Sequence, residues 1–129
     1  MTPPPFRVLL VEDDPSNGEL FTAVLEREGY AVEVVTDGNE VERRVDAFRP
    51  DLVLMDINLP AVDGTELLRR LRRNPSTAGL RILAVTAHAM KGDAESYVAM
   101  GFDGYIAKPI EVKRFRATVR HMLDQRRDT

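Results

Sequence analysis

Asp51-Leu52-Val53-Leu54-Met55-Asp56-Ile57-Asn58-Leu59-Pro60 places four successive apolar side chains, Leu52 to Met55, directly before an acid. A short run that is apolar at every position is what a strand covered on both faces requires. Val8-Leu9-Leu10-Val11 and Ile82-Leu83-Ala84-Val85 repeat the pattern, so these three runs are expected to be the central strands of one sheet. Ala31-Val32-Glu33-Val34-Val35 is broken by a charge and Gly104-Tyr105-Ile106-Ala107 is short, which suits the two edges. Amphipathic stretches lie between them: Leu20, Phe21, Val24 and Leu25; Val41, Val45 and Phe48; Leu67, Leu68 and Leu71; Tyr97 and Val98; Phe115, Val119, Met122 and Leu123. Strand-like and helix-like segments in alternation predict an α/β protein, a five-stranded parallel sheet doubly wound with helices on both faces. Asp14-Pro15 predicts the start of the first helix with the acid as its cap, Asp63-Gly64 and Asp93 open later ones, and Gly29 closes the first.

The 129 residues, 43% hydrophobic and 30% charged, fit one domain, with residues 1–5 as a proline-rich lead-in, 6–124 as the domain and 125–129 as a tail. The chain has no cysteine, which excludes disulfides and thiolate metal sites. Its longest uninterrupted apolar runs are four residues, far below the roughly 20 needed to span a bilayer. Met1-Thr2-Pro3-Pro4-Pro5 lacks the cationic start and apolar core of a secretory leader, so a cytoplasmic location is expected. The net charge of −3 gives no bulk attraction to nucleic acid, although residues 108–129 carry seven Lys or Arg against three acids. A solvated, cationic last helix accounts for that asymmetry.

Polar groups gather just past the strands: Glu12-Asp13-Asp14 after Val11, Asp56 after Met55, Thr86 after Val85 and Lys108 after Ala107. In an open parallel sheet ligands bind in the crevice outside the carboxyl ends of the strands, where strand order reverses. If the order is 2-1-3-4-5, the first and third strands are neighbours and Asp13 meets Asp56. Two carboxylates about 5 Å apart, at an effective dielectric near 20, repel by on the order of 3 kcal/mol, so one is protonated or a cation lies between them. An all-oxygen donor set without His or Cys points to Mg²⁺, with Mn²⁺ as its substitute. A lysine and a threonine hydroxyl across from such an ion suit an incoming phosphoryl group, with a carboxylate as nucleophile.

These residues resemble the receiver domains of two-component response regulators, most closely the single-domain chemotaxis and cell-cycle type. The resemblance rests on residues 8–14, 51–60, Asp63-Gly64, Val85-Thr86-Ala87-His88-Ala89-Met90 and Gly104-Tyr105-Ile106-Ala107-Lys108-Pro109. Each motif alone is weak, but Thr86 lies thirty residues past Asp56 and Lys108 another twenty-two on, and the ordered set is specific. The resemblance implies the flavodoxin-like receiver fold, with Asp56 as phosphoacceptor for a phosphohistidine of a sensor kinase or histidine phosphotransfer protein. It implies a metal held by Asp13 and Asp56, by Glu12 through water and by the backbone carbonyl of Asn58. Lys108 would pair with Asp56 and then with the phosphoryl group, before a cis bond to Pro109. Thr86 and Tyr105 match the switch pair, and the fourth helix, fifth strand and fifth helix would present the surface for a downstream protein or a phosphorylation-dependent dimer. Asn58 and His88 stand where the family varies the side chains that tune phosphate lifetime. The resemblance further implies a switch that catalyses only its own phosphorylation and slow dephosphorylation, acting through binding since no output domain follows residue 124.

Three other functions fit less well. A phosphatase using an aspartyl phosphate needs a second acid two residues after its nucleophile, where this chain has Asn58. A flavin or dinucleotide protein would not place Glu12-Asp13-Asp14 in its phosphate loop, and no Gly-x-Gly-x-x-Gly occurs. A nucleic-acid contact through Arg114, Arg116 and Arg120 lacks aromatics interleaved with them on the face expected to be exposed, and the rest of the chain is acidic. His121, among arginines on the last helix, lacks the setting of a phosphotransfer histidine.

Overall fold

The computed structural model describes residues 4–87 and 93–128. In chain order the elements are β1 (Arg7–Val11), α1 (Pro15–Arg27), β2 (Ala31–Val35), a short 3₁₀ turn (Gly38–Glu40), α2 (Val41–Phe48), β3 (Leu52–Asp56), α3 (Gly64–Arg73), β4 (Arg81–Thr86), α4 (Asp93–Met100), β5 (Gly104–Ala107) and α5 (Val112–Asp128). The five strands form one sheet in the order β2-β1-β3-β4-β5, and every pairing is parallel. The expected fold is therefore present, with the three all-apolar runs at the centre. Two ends run further than the apolar pattern marks: Asp56 pairs with Val85 as the last residue of β3, and Thr86 pairs with Ala107 as the last of β4. The backbones of Asp56 and Thr86 are thus held by the sheet ladder itself.

Side chains alternate across a strand, and the sheet accordingly separates two cores. Leu9, Val11, Val53, Met55, Ile82 and Ala84 point to one face and pack with Val41, Val45, Leu67, Leu71, Tyr97 and Phe102 from α2, α3 and the α4 region. Val8, Leu10, Leu52, Leu54, Leu83 and Val85 point to the other and pack with Phe21, Leu25, Phe115, Val119 and Leu123 from α1 and α5. There the Phe21 and Phe115 rings stack with centroids 5.3 Å apart. Two residues of the apolar stripes face outward instead: Leu20 is 44% exposed and Val98 57%. Each precedes or follows a buried aromatic, Phe21 or Tyr97, and the step of about 100° per helical residue turns it away from the sheet.

Turn chemistry sets where the helices start and stop. Asp14 accepts the N–H groups of Ser16 at 2.9 Å and Asn17 at 3.4 Å, with Pro15 opening α1. Asp63 caps α3 through the Thr65 N–H at 2.8 Å. Gly29 and Gly101, with φ of 89° and 118°, take the left-handed conformation just past α1 and α4. Arg72 of α3 ties the far edge of the sheet together, donating to the carbonyls of Gly101, Ala78 and Leu80 and to the Asp103 carboxylate.

Gly64 marks the tightest junction. A Cβ there would lie 2.7 Å from the Asp56 carbonyl oxygen and 2.9 Å from the Ile57 Cα, both backbone. The start of α3 thus presses on the end of β3. Gly64→Ala is expected to lower the unfolding free energy by about 1–3 kcal/mol, read as a fall in the urea midpoint at unchanged m-value; an unchanged midpoint would show that the two backbones separate freely.

Candidate functional site

The ends of β1, β3, β4 and β5 meet at one edge of the sheet, and the side chains just beyond them form the site. Glu12 leaves β1 with its N–H donated to the Val35 carbonyl at 3.0 Å, and its side chain is 1% exposed. Asp56 is buried at the end of β3, while Asp13 is exposed between them. One oxygen from each of Glu12, Asp13 and Asp56 lies within 4.8 Å of the others.

Lys108 is the cation that faces this cluster. Its backbone N–H donates to the Thr86 carbonyl at 2.8 Å, and its bond to Pro109 is cis, as the resemblance implied. Nζ donates to Asp56 Oδ2 at 2.8 Å and forms an ion pair with Glu12 Oε1 at the same distance. Asp56 Oδ1 accepts the Asn58 N–H at 2.9 Å, so both carboxylate oxygens are oriented. Glu12 Oε2 accepts the Asp14 N–H at 3.3 Å.

Charge and burial act against each other here. Burial, and after it the neighbouring Asp56 carboxylate, push the Glu12 carboxyl above its ordinary range, outweighing the opposing pull of Lys108 and the Asp14 N–H. Burial also pulls on the Lys108 ammonium, downward, but its hydrogen bond to Asp56 and its ion pair with Glu12 win, and it lies above its usual value. Lys108 therefore stays charged, and among the described residues one ammonium faces three acids. The excess of hard oxygen donors suits a small divalent cation and not zinc.

The remaining sequence-derived residues fall around this cluster. Thr86 is buried at the end of β4, and its Oγ1 lies 3.1 Å from the hydroxyl of Tyr97, a hydrogen bond between two buried groups. Tyr105 on β5 is 37% exposed, its ring centroid 6.2 Å from that of Tyr97. Asn58 is exposed in the loop after β3, with its backbone at the site. His88 lies outside the described residues. His121 sits away from the crevice, in a groove with Lys113, Arg116 and Arg120 on α5. Tyr97 is the polar contact that the sequence pattern did not reveal: it was read as part of an apolar stripe, and its hydroxyl partner is eleven residues away.

The family model of the response regulator receiver domain matches residues 8–120. This chain belongs to the response regulator receiver domain family. The polar-differentiation response regulator DivK of Brucella anthropi is 40% identical over 119 residues, covering 92% of this chain and 97% of that protein. Among solved structures, the receiver domain of a sensor histidine kinase from Pseudomonas aeruginosa PAO1, with a magnesium ion coordinated in its active-site cleft, superposes with a TM-score of 0.83 at 33% identity. That match covers 93% of this chain and 98% of that one. The chemotaxis response regulator CheY4 of Vibrio cholerae has a TM-score of 0.84 at 25% identity, covering 92% and 98%. Receiver domains are signalling switches and bind Mg²⁺ at an acidic pocket, and the cluster of Glu12, Asp13 and Asp56 in this receiver domain has the donors such a pocket needs.

Two outcomes test these electrostatics. Mg²⁺ is expected to raise the melting temperature of the wild type, and Asp13→Asn to weaken Mg²⁺ binding by at least about tenfold without loss of metal-free stability; calorimetric titration and thermal melting check both. Because the folded-state pKa of Glu12 is raised, its contribution is favourable at low pH and is lost as pH rises through that value. The metal-free stability of Glu12→Gln relative to wild type should therefore be highest at pH near 8 and shrink as pH falls below the carboxylate range, as followed by denaturation at several pH values.

Proposed function

We propose that this receiver domain is a single-domain response regulator that takes a phosphoryl group on Asp56 from a phosphohistidine of a sensor kinase or histidine phosphotransfer protein. The observation that carries the reading is the buried Asp56 carboxylate held between the Lys108 ammonium and the Asn58 N–H, beside two further acids. A carboxylate oxygen of Asp56 attacks phosphorus; the P–O bond forms as the P–N bond breaks, and the electron pair leaves with the imidazole, which is then protonated. Hydrolysis reverses the state: water adds to phosphorus, the bond to Asp56 breaks, and inorganic phosphate leaves the free carboxylate.

Glu12, Asp13, Asp56 and the Asn58 carbonyl are the groups that would hold Mg²⁺, or Mn²⁺ in its place, and the bound ion supplies positive charge to the phosphoryl oxygens. Lys108 contributes the protein's own positive charge to them. Thr86 donates its hydroxyl proton to a phosphoryl oxygen, Tyr105 follows inward, and Asn58 with His88 sets the rate of water attack. The surface of α4, β5 and α5 then changes for a downstream protein partner or a second copy of the chain. Support comes from exposed apolar side chains there, Val98, Met100, Tyr105 and Val112, and from a cavity of about 370 Å³ lined by Tyr105, Pro109, Arg114 and Thr118. No helix among the described residues is long and apolar enough to cross a membrane, in keeping with action in the cytoplasm.

Incubation with acetyl phosphate and Mg²⁺ should add the mass of one phosphoryl group to the wild type, with no adduct in the presence of a chelator or in Asp56→Asn. An adduct that persists in the variant would move the acceptor elsewhere.

A further inference from the structure

We infer that the Tyr97 hydroxyl is a latch that holds Thr86 in its resting position, so that phosphorylation of this chain must break a Thr86–Tyr97 hydrogen bond before Thr86 can turn to Asp56. The inference deepens the phosphoryl-switch reading above and rests on it for its functional consequence, though not for the latch itself.

The geometry is specific. Thr86 Oγ1 and the Tyr97 hydroxyl are 3.1 Å apart, with Thr86 1% exposed and Tyr97 9%. Thr86 ends β4 beside Asp56, since Asp56 pairs with Val85 and the Ile57 N–H donates to the Val85 carbonyl. Its backbone is fixed there by Lys108, whose N–H takes the Thr86 carbonyl. With the backbone held, the hydroxyl can change position by turning about χ1, and moving between staggered wells swings Oγ1 by about 120°. Whichever of the two hydroxyls donates in the resting bond, a turn about χ1 that carries Oγ1 toward a phosphoryl oxygen on Asp56 carries it away from the Tyr97 hydroxyl.

Tyr97 is well placed to report that loss. Its ring meets Phe102 edge-on, with centroids 6.2 Å apart, and lies at the same distance from the ring of Tyr105. The C-terminal end of α4 is anchored separately, by the Phe102 N–H on the Tyr97 carbonyl and by Arg72 on the Gly101 carbonyl. Tyr97 is accordingly a positioning residue: it touches no reacting atom and acts through Thr86.

Tyr97→Phe keeps the ring and removes the latch. In metal-free, unphosphorylated protein, three-bond couplings to the Thr86 methyl carbon should report one χ1 rotamer in the wild type and a mixture in Tyr97→Phe; the same single rotamer in both overturns the inference. With Mg²⁺ and beryllium fluoride as the phosphoryl mimic, the half-saturating fluoride complex concentration should fall about fivefold in Tyr97→Phe, the equivalent of one ordinary hydrogen bond lost from the resting state. In a Thr86→Ala background the same substitution should have no effect. An unchanged half-saturation in the first comparison, or an equal fall in the second, overturns the latch. Should the wild type bind no beryllium fluoride, the phosphoryl reading fails, and the rotamer measurement still decides for or against the latch.

Discussion

Everything at the reactive edge of this protein follows from one ammonium placed among acids that the fold forces together. A parallel sheet ends all its strands on the same side, so whatever follows β1, β3 and β5 must share one crevice. Here that places Glu12 and Asp56 each 2.8 Å from Lys108 Nζ. Neither acid could remain buried and ionised alone. The lysine in turn gains enough from both to keep its charge despite partial burial. Among the described residues one positive charge stands against two buried acids and a third at the rim, and that excess of carboxylates suits the site to a divalent ion.

The rest of the fold is arranged to keep this charge cluster from relaxing. Asp56 is part of the β3 ladder and Thr86 part of the β4 ladder, so neither can retreat without breaking strand pairing. Gly64 lets α3 begin against the Asp56 backbone, and Asn58 fixes the second carboxylate oxygen. Preorganised groups of this kind act on developing charge without having to reorient during the reaction. The same rigidity confines motion to side chains such as Thr86, whose hydroxyl can change partner while its backbone stays in place.

Much of this was legible in the residues. The three central strands announce themselves because burial on both faces forbids polar side chains, and Asp14, Asp63 and Gly29 are read from local turn chemistry alone. Asp13, Asp56 and Lys108 are legible because strand ends, unlike strand interiors, reveal which side chains face the crevice. Leu20 and Val98 were less so: a short helix tolerates apolar residues beside its buried stripe, and only the observed helix orientation separates inward from outward. Tyr97 and Arg72 depend on tertiary placement. The tyrosine fits an apolar stripe, and nothing local says that its hydroxyl meets Thr86; the arginine sits among four on α3, and its carbonyl partners come from two different loops.

The two cores deserve a mechanical reading. Because alternating strand residues feed separate layers, Tyr97 and Phe102 belong to the layer beneath α2, α3 and α4, while Phe21 and Phe115 belong to the other. Among the described residues no buried side chain belongs to both layers, and the sheet between them is paired along every strand. A rearrangement of Tyr97 can therefore be absorbed on its own side, with the stacked phenylalanines of α1 and α5 acting as an anvil behind it. Such a division lets one half of a small protein deform in response to chemistry while the other half keeps its shape, so that a surface bridging both halves is read against a fixed reference.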